Sequence, residues 1–593
     1  MAVLAAGACG GEDLRPDVRY QFIGLLPVSG GACPPPATTP PVVTGATTVR
    51  LTFRDELDRT LRCDAVVPLG GEAPYVAVPD RASPVTMYVE YFDGSGALLA
   101  RGQRGNVSLT GEATIQIHVQ PTDAYVCPLG TAATARAFHS ATPLPNGEVL
   151  LLGGLVGEAG GDSTAFSPSA GAYVSSAAEI YDPIERRFYS LTITGLLPRA
   201  FHEVVVLGME GASIELLVVG GVGVGGDPAA GGNVAVLPTG GTAAPWTSVA
   251  ADLPMMRAGT IALPPEILLY DPATRTVTRS ELVGGPLARV FGTATLPGAA
   301  PGEGIAVVGG KTMAGANELA HESVNIADGT SAGAVNGHPR LGATVTAISA
   351  TEAVVWGGNL TTLATDVRAG DRLSMLGGVP VLAVGPVMTG GSNRAYHAAA
   401  RLGSRVAVVG GLTVTGGVVN DAGFTPFVQL VDPSQLTASL VDVPTATPTA
   451  YPAAVALASG DVLISGGASP GVCATTLTCP SAQSIRLRRG AGMGPTPVST
   501  GAPGLARYGH RLTELPDGSV LVSGGFSPAV EADKIRALRD AELFAPQGAA
   551  DDPIADLNLA RAAGDIARTT GGQPLAPCTL LGGSVPTPDA SID

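Results

Sequence analysis

Short apolar runs, each closed by a pair of glycines, recur along most of this 593-residue chain. Apolar runs of this length that are bounded by turn residues are typical of buried β-strands. The spacing of the glycine pairs averages about 62 residues, and a period of this size indicates a repeat architecture. The pairs are Gly153-Gly154, Gly220-Gly221, Gly309-Gly310, Gly357-Gly358, Gly410-Gly411, Gly466-Gly467 and Gly524-Gly525.

Other features keep a constant phase with the glycine pairs. An arginine stands 16 to 21 residues before every pair except the sixth, where Thr449 lies near that register. A turn such as Leu144-Pro-Asn-Gly147 falls between the arginine and the pair, and a turn such as Tyr181-Asp-Pro183 follows the next apolar run. Each unit therefore predicts four antiparallel strands, and radial repetition of such units makes a β-propeller.

These units resemble the kelch repeat of bacterial proteins and of the central domain of galactose oxidase. The shared pattern is Arg-x-x-His, Leu-Pro-x-Gly, an apolar strand with Gly-Gly, and Tyr-Asp-Pro, best matched by residues 136–189 and 507–546. The tryptophan that is usual in the fourth strand is absent, and Phe188 is its best substitute. The resemblance covers roughly residues 130–585 and implies an all-β kelch-type propeller, but it does not indicate a function.

The number of propeller blades depends on the end of the chain. Seven full repeats are followed by a partial eighth, in which Arg561 precedes Gly582-Gly583 by the 21 residues that separate Arg199 from Gly220. The segment 123–127 is expected to supply the missing strand of that unit. We therefore expect seven or eight blades within a propeller domain of residues 122–585, followed by a tail of residues 586–593.

The N-terminal fifth of the chain has a different pattern. Residues 44–121 alternate apolar and polar positions, as in Thr48-Val-Arg-Leu-Thr-Phe53, which predicts strands with one buried face. About five such strands predict a small immunoglobulin-like β-sandwich. Residues 10–43 are rich in proline, glycine and threonine and are expected to form an extended tether.

Residues 1–9 resemble the end of a bacterial lipoprotein signal, with Ala6-Gly7-Ala8-Cys9 as the lipobox. The match departs from the pattern in two ways, because no basic residue precedes the apolar run and the run is about half the usual length. Lipidation at Cys9 would anchor the protein to the bacterial outer membrane or cell surface. No stretch has the 18 or more uninterrupted apolar residues of a membrane-spanning helix, so the lipid would be the sole attachment.

Export would allow the remaining six cysteines to form disulfides. We predict the pairs Cys33–Cys63, Cys127–Cys578 and Cys473–Cys479, the alternative being free buried thiols.

Charge and composition exclude several classes of protein. The chain has 34 basic and 50 acidic residues and a net charge of −16, which argues against binding to nucleic acids. Its 81 glycines and 49 prolines argue against a helical bundle. Hydrophobic residues make up 45%, which is enough to bury a large core.

One face of the predicted propeller carries the long insertions, and it is our candidate binding surface. The insertions that follow Gly-Gly are Leu155–Ser175, Val222–Pro265, Leu412–Thr425, Ala468–Ser481 and Phe526–Arg539. The repeated polar residues enter the first strands on the same face. These binding-face candidates are Arg136, His139, Arg199, His202, Arg289, Arg340, Arg394, His397, Arg507 and His510.

Two interpretations of the repeated residues stay open. In the first, each arginine spans neighbouring blades by hydrogen bonds to carbonyls, and each histidine fills a buried polar position. In the second, the arginines and histidines surround the channel mouth and attract an anion such as an acidic sugar.

The pattern favours a non-catalytic, envelope-anchored lipoprotein, monomeric and without cofactor or metal, whose propeller binds a polysaccharide or surface protein. Two alternatives are a purely structural scaffold and a copper-radical oxidase, to which the resemblance to galactose oxidase points. Tyr396, His397, Tyr508 and His510 are candidates to gather near the axis. The oxidase also needs a cysteine cross-linked to tyrosine, and no cysteine lies between Cys127 and Cys473.

Overall fold

A computed structural model gives the structure of the chain. It describes residues 4–8, 18–29, 31–35, 43–55, 62–69, 75–78, 85–107, 113–160, 165–166, 173–224, 234–235, 260–282, 293–294, 304–309, 321–325, 331–335, 340, 342–349, 352–358, 370–376, 379–384, 394–415, 418–425, 428–441, 448–469, 479–489, 495–528, 534–547 and 579–581. Strands and connecting turns make up this part of the chain. It contains no helix, and so none that is long and apolar enough to cross a membrane.

Seven antiparallel sheets follow the sequence repeats, and we call them sheets 1 to 7. In each sheet the first, second, third and fourth strands lie side by side in that order, and sheet 2 has an extra strand, Thr260–Ala262, beside its second. Their strands are Ser140–Pro143, Val149–Leu152, Ala178–Asp182 and Arg187–Leu191 in sheet 1; Ala200–Glu210, Ser213–Val224, Glu266–Asp271 and Thr276–Glu281 in sheet 2; Thr293–Ala294, Gly304–Val308, His321–Asn325 and Ser331–Val335 in sheet 3; Thr344–Ala347, Glu352–Trp356, Gly370–Leu376 and Val379–Val384 in sheet 4; Ala398–Leu402, Arg405–Val409, Val428–Asp432 and Thr437–Val441 in sheet 5; Ala453–Ala456, Val462–Ser465, Ser484–Arg488 and Thr496–Ser499 in sheet 6; and Arg511–Glu514, Val520–Ser523, Glu542–Phe544 and Tyr125–Val126 in sheet 7.

The first strands of the seven sheets form a closed cycle. Each contacts the first strand of the next sheet, and the first strand of sheet 7 contacts that of sheet 1. The all-β antiparallel structure, with this cycle of contacts, is consistent with a β-propeller.

A separate hydrophobic cluster lies between each pair of neighbouring sheets, including sheets 7 and 1. The second strand of sheet 1 illustrates the packing: Leu150 and Leu152 contact sheet 2, while Val149 and Leu151 contact sheet 7. Because both faces of the strand are covered, all four of its residues are buried. This explains why the second strands are continuous apolar runs rather than alternating ones.

The N-terminal strands form one nine-stranded sheet that includes a strand from the C-terminal end. Its strands, in spatial order, are Arg62–Pro68, Thr48–Asp55, Val85–Phe92, Leu98–Val107, Ala113–Pro121, Val18–Gly24, Leu4–Ala8, Tyr75–Val78 and Thr579–Leu581. Two of the strand pairs are parallel, Val18–Gly24 with Ala113–Pro121 and Leu4–Ala8 with Tyr75–Val78. The immunoglobulin-like sandwich therefore stays a prediction, and the sheet extends beyond its predicted bounds of residues 44–121.

Part of the predicted tether, residues 10–43, belongs to this sheet. Phe22, Ile23 and Leu25 are buried, and the backbone of Val18–Gly24 pairs with Ala113–Pro121. The tether prediction is wrong here because these apolar side chains find a sheet to pack against. The proline-rich residues 36–41, Cys9 and the tail 586–593 lie outside the described residues, and the lipobox stays a prediction.

Sheet 7 takes its fourth strand from the N-terminal side of the repeats. Tyr125–Val126 pairs with Glu542–Phe544, so the predicted segment 123–127 does supply an outer strand. That strand completes the seventh repeat rather than an eighth. Thr579–Leu581, expected in the partial eighth unit, pairs instead with Tyr75–Val78 of the N-terminal sheet.

The disulfide in the structure differs from the predicted pairings. Cys33 is bonded to Cys127, which overturns both Cys33–Cys63 and Cys127–Cys578. The reason is that residues 25–29 and 31–33 run along sheet 7. Leu25 packs in the cluster between sheets 7 and 1, the Cys127 N–H donates to the Leu26 carbonyl, and the Cys33 N–H donates to Asp540 Oδ1. Cys473 and Cys578 lie outside the described residues, so the pair Cys473–Cys479 stays a prediction.

We predict that replacing both Cys33 and Cys127 by serine lowers the free energy of unfolding by about 2–5 kcal/mol, because the bond closes a long loop in the unfolded chain. Urea unfolding of the oxidised protein and the variant measures the difference. The control is to treat both proteins with dithiothreitol, after which wild type and variant should unfold alike. Equal stability of the oxidised protein and the variant would contradict the assignment.

Candidate functional site

The meander of each sheet puts two kinds of connection on one side of the cycle. The segment that enters a first strand lies beside the segment that follows Gly-Gly, as the bridges Ala137–Leu155, Ala450–Ala468 and Tyr508–Phe526 demonstrate. We call this side the Gly-Gly face. The opposite side, the turn face, carries tight turns such as residues 144–147 and 182–186.

The repeated arginines lie at the Gly-Gly face, and their side chains are buried. Arg136, Arg199, Arg340, Arg394 and Arg507 are each no more than 2% exposed. In every one, Nη1 donates to the carbonyl of the first glycine of its own repeat; the acceptors are Gly153, Gly220, Gly357, Gly410 and Gly524, at 2.6 to 3.3 Å. The side chains therefore bond within their own sheet, whereas we expected them to span neighbouring sheets. Arg289 lies outside the described residues.

A carboxylate on the third strand completes the arrangement in four sheets. Glu179, Glu266, Asp371 and Glu542 form ion pairs with Arg136, Arg199, Arg340 and Arg507, and both partners are buried. Sequence reasoning missed these acids. The sequence could have indicated them, because an acidic or amide residue stands four positions before the proline that follows the third strand, as in Glu179, Gln429 and Glu542. In the second repeat, however, Glu266 stands six positions before Pro272.

In sheets 5 and 6 the carboxylate position holds a neutral residue, Gln429 or Ile485. In sheet 5 Gln429 has the register of Glu179, and burial lowers the pKa of Arg394 to about 10. In sheet 6 Thr449 replaces the arginine, and Gln483 Nε2 lies 3.4 Å from its hydroxyl and 3.5 Å from the Gly466 carbonyl. The amide thus donates to the same glycine carbonyl that an arginine reaches elsewhere.

The backbone of the same motif joins one sheet to the next. The N–H of the second glycine donates to the carbonyl of the next repeat's arginine, as from Gly154 to Arg199 and, across the closure, from Gly525 to Arg136, both at 2.8 Å. Gly153 shows why a side chain is excluded here: a Cβ would lie 2.3 Å from the Arg199 carbonyl oxygen, and its φ is +62°.

The repeated histidines make side-chain contacts between sheets. His202 Nε2 lies 3.0 Å from Ser140 Oγ of sheet 1, and His397 Nε2 lies 2.8 Å from Thr344 Oγ1 of sheet 4. These hydroxyls stand at the first position of the preceding sheet's first strand. In sheet 7 that position is Arg511, and His139 is bonded instead to Ser523 Oγ at 2.9 Å.

His510 has no such hydroxyl available at the equivalent position, which in sheet 6 is Ala453. Both of its ring nitrogens are buried without a hydrogen-bond partner among the described residues. Burial, reinforced by Arg507 and Arg511, holds the pKa of His510 well below its ordinary value. The pKa values of His139 and His202 are lowered in the same way, and that of His397 falls to about 3.

Aromatic side chains meet inside the cycle of first strands. The Phe138 ring of sheet 1 lies 4.5 Å from Phe201 of sheet 2 and 5.4 Å from Tyr451 of sheet 6, which is not a neighbouring sheet. Tyr451 in turn lies 5.1 Å from Tyr396 of sheet 5. All four have φ between 51° and 57°, a conformation that non-glycine residues seldom adopt. The cluster therefore fills the interior at the Gly-Gly face.

Two repeats have glycine where the others have an aromatic residue. A Cβ at Gly342 would lie 2.9 Å from the Tyr396 ring, and one at Gly509 would lie 2.8 Å from the Phe138 ring. These glycines leave the space that the neighbouring rings occupy. The interior thus has no room for an aromatic side chain from every repeat.

Strands from the insertions cover the Gly-Gly face and pair across repeat boundaries. Glu158–Gly160 of repeat 1 pairs with Lys534–Ala537 of repeat 7, which pairs with Phe526–Pro528. Ala165–Phe166 of repeat 1 pairs with Val234–Ala235 of repeat 2. The remaining insertion strands pair within one repeat. Leu155–Val156 pairs with Tyr173–Val174, and Ala468–Ser469 pairs with Cys479–Pro480. In repeat 5, Leu412–Thr415 lies between Arg394–Ala395 and Val418–Phe424 and pairs with both. We call this set of strands the insertion layer.

The residues named for a copper-radical oxidase, Tyr396, His397, Tyr508 and His510, are all buried. His397 Nε2 is bonded to Thr344, and the Tyr508 hydroxyl is buried without a partner among the described residues. Tyr396 is held in the aromatic cluster. Within the described part of the chain, no group of three His, Cys, Asp or Glu side chains is placed to hold a metal ion.

We predict that stability falls steeply below pH 6.5 because four buried imidazoles, at residues 139, 202, 397 and 510, have lowered pKa values. Unfolding exposes them to ordinary pKa values near 6.5, so the unfolded state binds protons that the folded state does not. Lowering the pH from 7.5 to 5 should reduce the free energy of unfolding by about 2 kcal/mol for each of these four histidines. Urea unfolding across this pH range measures the slope of the free energy of unfolding against pH. The variant His202→Gln should take up one proton fewer on unfolding than wild type. A slope unchanged in His202→Gln would contradict this account.

We also predict that Arg507→Met lowers the free energy of unfolding by about 3–5 kcal/mol, because it leaves Glu542 charged and buried. The double variant Arg507→Met/Glu542→Leu should recover most of that loss. Arg372→Met, which breaks a half-exposed pair with Glu352, is the control and should cost about 1 kcal/mol or less. Urea unfolding measures all three. Additive losses in the double variant would contradict the buried pair.

Comparisons with known proteins gave distant similarities only. No protein-family model and no curated protein matches the chain. Among solved structures, the structure of YjhT aligns with a TM-score of 0.35 and 12% identity, over 70% of this chain and 96% of that one. A fungal alcohol oxidase of the AA5 family, in complex with copper, aligns with a TM-score of 0.43 and 11% identity, over 71% of this chain and 75% of that one. Similarity at this level transfers neither function nor site residues.

Proposed function

We propose that this chain is a non-catalytic recognition protein of the bacterial envelope. In this proposal it is a seven-bladed kelch-type β-propeller, anchored by a lipid at Cys9, that binds a polysaccharide or surface protein on its Gly-Gly face. The seven-fold cycle of first strands and the seven clusters between neighbouring sheets support the blade count.

The observation that carries the recognition role is the pairing of insertions from different repeats. Glu158–Gly160 and Lys534–Ala537 come from opposite ends of the repeat region and share one small sheet. The insertion of repeat 6 joins them, since Cys479–Pro480 contacts Phe526–Pro528. Segments far apart in sequence thus form one surface on a rigid support, which is how recognition loops are commonly presented.

The repeated polar residues support an assignment of binding to the insertions rather than to the repeats. The arginine side chains donate to glycine carbonyls, and three of the four histidines bond a hydroxyl of the preceding sheet. Side chains that are buried and already bonded contribute to folding, not to ligand binding. This also argues against the interpretation in which they surround an open channel.

The envelope location rests mainly on the sequence. The disulfide between Cys33 and Cys127 supports a protein folded in an oxidising compartment. The net charge of −16 argues for a partner bound by local contacts rather than by general attraction of anions.

The test is binding to an array of acidic and neutral oligosaccharides, combined with crosslinking on intact cells. Wild-type protein should bind a defined set of glycans or a single surface protein. Replacing residues 158–172 by a short Gly-Ser linker should abolish that binding, because it removes two strands of the insertion layer.

The control is Ile184→Ser on the turn face, where Ile184 is 38% exposed, and this variant should bind like wild type. Circular dichroism should show that both variants remain folded. If the linker variant keeps wild-type binding, or if Ile184→Ser loses it, the assignment to the Gly-Gly face is wrong.

A further inference from the structure

An open cleft of about 600 Å³ lies on the Gly-Gly face where the end of sheet 7 meets the start of sheet 1. Three segments line it: residues 32–35, residues 128–131 with Ala135, and residues 536–540. The volume is within the range of sites for small ligands. Of the regions predicted from the sequence, the end of the insertion Phe526–Arg539 lines it, as does the disulfide candidate Cys33, but none of the repeated arginines and histidines does.

The walls of this cleft are fixed relative to one another. The Cys33–Cys127 disulfide ties the first segment to the start of the second, and the Cys33 N–H donates to Asp540 Oδ1 at 3.3 Å. The Ala132 N–H donates to the Arg539 carbonyl at 3.1 Å, which joins the second segment to the third. A cleft with fixed walls loses little entropy when a ligand binds.

Two guanidinium groups give the cleft its chemistry. Arg539 is exposed and Arg536 is half-buried. Arg536 Nη2 lies 3.5 Å from the Gly31 carbonyl, while its Nε is buried with no hydrogen-bond partner among the described residues. The one carboxylate in the lining, Asp540, accepts the Cys33 N–H. A buried donor without a partner favours a ligand that brings an acceptor.

We propose that this cleft binds the carboxylate of a short acidic saccharide through Arg536 and Arg539. The proposal deepens the proposed function, on which it rests, by naming the ligand class and its position. Guanidinium groups match the planar geometry of carboxylates. The ligand is short because a net charge of −16 repels a long polyanion, whereas one or two carboxylates meet mainly the local field of the two arginines.

A peptide fits this cleft less well than a saccharide. An extended peptide binds by adding a strand, which requires a row of free backbone N–H and C=O groups. The lining contains Pro34, Pro35 and Pro128, which have no N–H. The Leu538 and Arg539 carbonyls already accept the N–H groups of Arg136 and Ala132.

The experiment is isothermal titration of the full chain with trigalacturonate, its methyl ester and the tripeptide triglycine. We expect trigalacturonate to bind at least about tenfold more tightly than its ester, because the ester loses the charged hydrogen bonds. Arg539→Gln and Arg536→Gln should each weaken binding about tenfold. Arg187→Gln, an exposed arginine at the turn face, is the matched control and should leave it unchanged.

The disulfide provides an independent arm of the test. The variant Cys33→Ser/Cys127→Ser frees the wall at residues 32–35, and it should weaken trigalacturonate binding while the N-terminal sheet and repeats remain folded by circular dichroism. Because Arg539 is exposed, Arg539→Gln is not expected to disturb folding, so its result is interpretable even if Arg536→Gln fails to fold.

Three outcomes would overturn the inference: equal affinity for the acid and its ester, wild-type affinity in Arg539→Gln, or tighter binding of triglycine than of trigalacturonate. Failure of the broader proposal is distinguishable. If replacement of residues 158–172 abolishes glycan binding while Arg539→Gln does not change it, recognition stays with the insertion layer and the cleft is not its site. If neither change affects binding, both proposals fail.

Discussion

The structure depends on a buried junction between an arginine and a pair of glycines, which the described residues form in five of the seven repeats. The arginine side chain donates to the first glycine carbonyl, and the arginine carbonyl accepts the N–H of the preceding repeat's second glycine. One residue therefore holds its own sheet together and joins it to the sheet before. The approach is so close that a Cβ on Gly153 would lie 2.3 Å from the Arg199 carbonyl oxygen, which is why the sequence marks each repeat with these residues.

The junction tolerates changes of chemistry at the carboxylate position and, in sheet 6, at the arginine position as well. Sheets 1, 2, 4 and 7 bury an arginine with a carboxylate, whereas sheet 6 has Thr449 and places Ile485 at the register of Glu179. Sheet 5 keeps Arg394 buried with the neutral Gln429 at the carboxylate position, whereas sheet 6 replaces both residues and so buries no charge there. The constant element is a donor to the first glycine carbonyl, supplied in sheet 6 by Gln483. The sixth repeat looks degenerate in sequence for this reason, although its sheet has the same four strands.

Local signals in the sequence were enough to predict the repeats, the strand order within each repeat and the face that carries the insertions. The glycine pairs, the arginines and the Tyr-Asp-Pro turns are each short motifs at regular spacing. They can therefore be recognised in the sequence alone. The carboxylates were missed because Glu266 lies at a different distance from its turn than Glu179 does. The disulfide and the partner of Thr579–Leu581 depend on how distant segments pack. The cleft with Arg536 and Arg539 was missed because three unrelated segments form it.

The fourth strand of sheet 7, Tyr125–Val126, is made before any other strand of the repeats, while its partner Glu542–Phe544 is made more than 400 residues later. On a chain that emerges from its N-terminus, the outer sides of sheets 1 and 6 stay open to water until that late segment arrives. Val149, Leu151 and Tyr181 on one side, and Leu463 on the other, pack partly against Leu521 and Leu543 or against Val520, Val522 and Phe544, which are made late. Loop closure over such a separation is slow. A chain that ends before residue 542 consequently leaves apolar surface at two edges in contact with water.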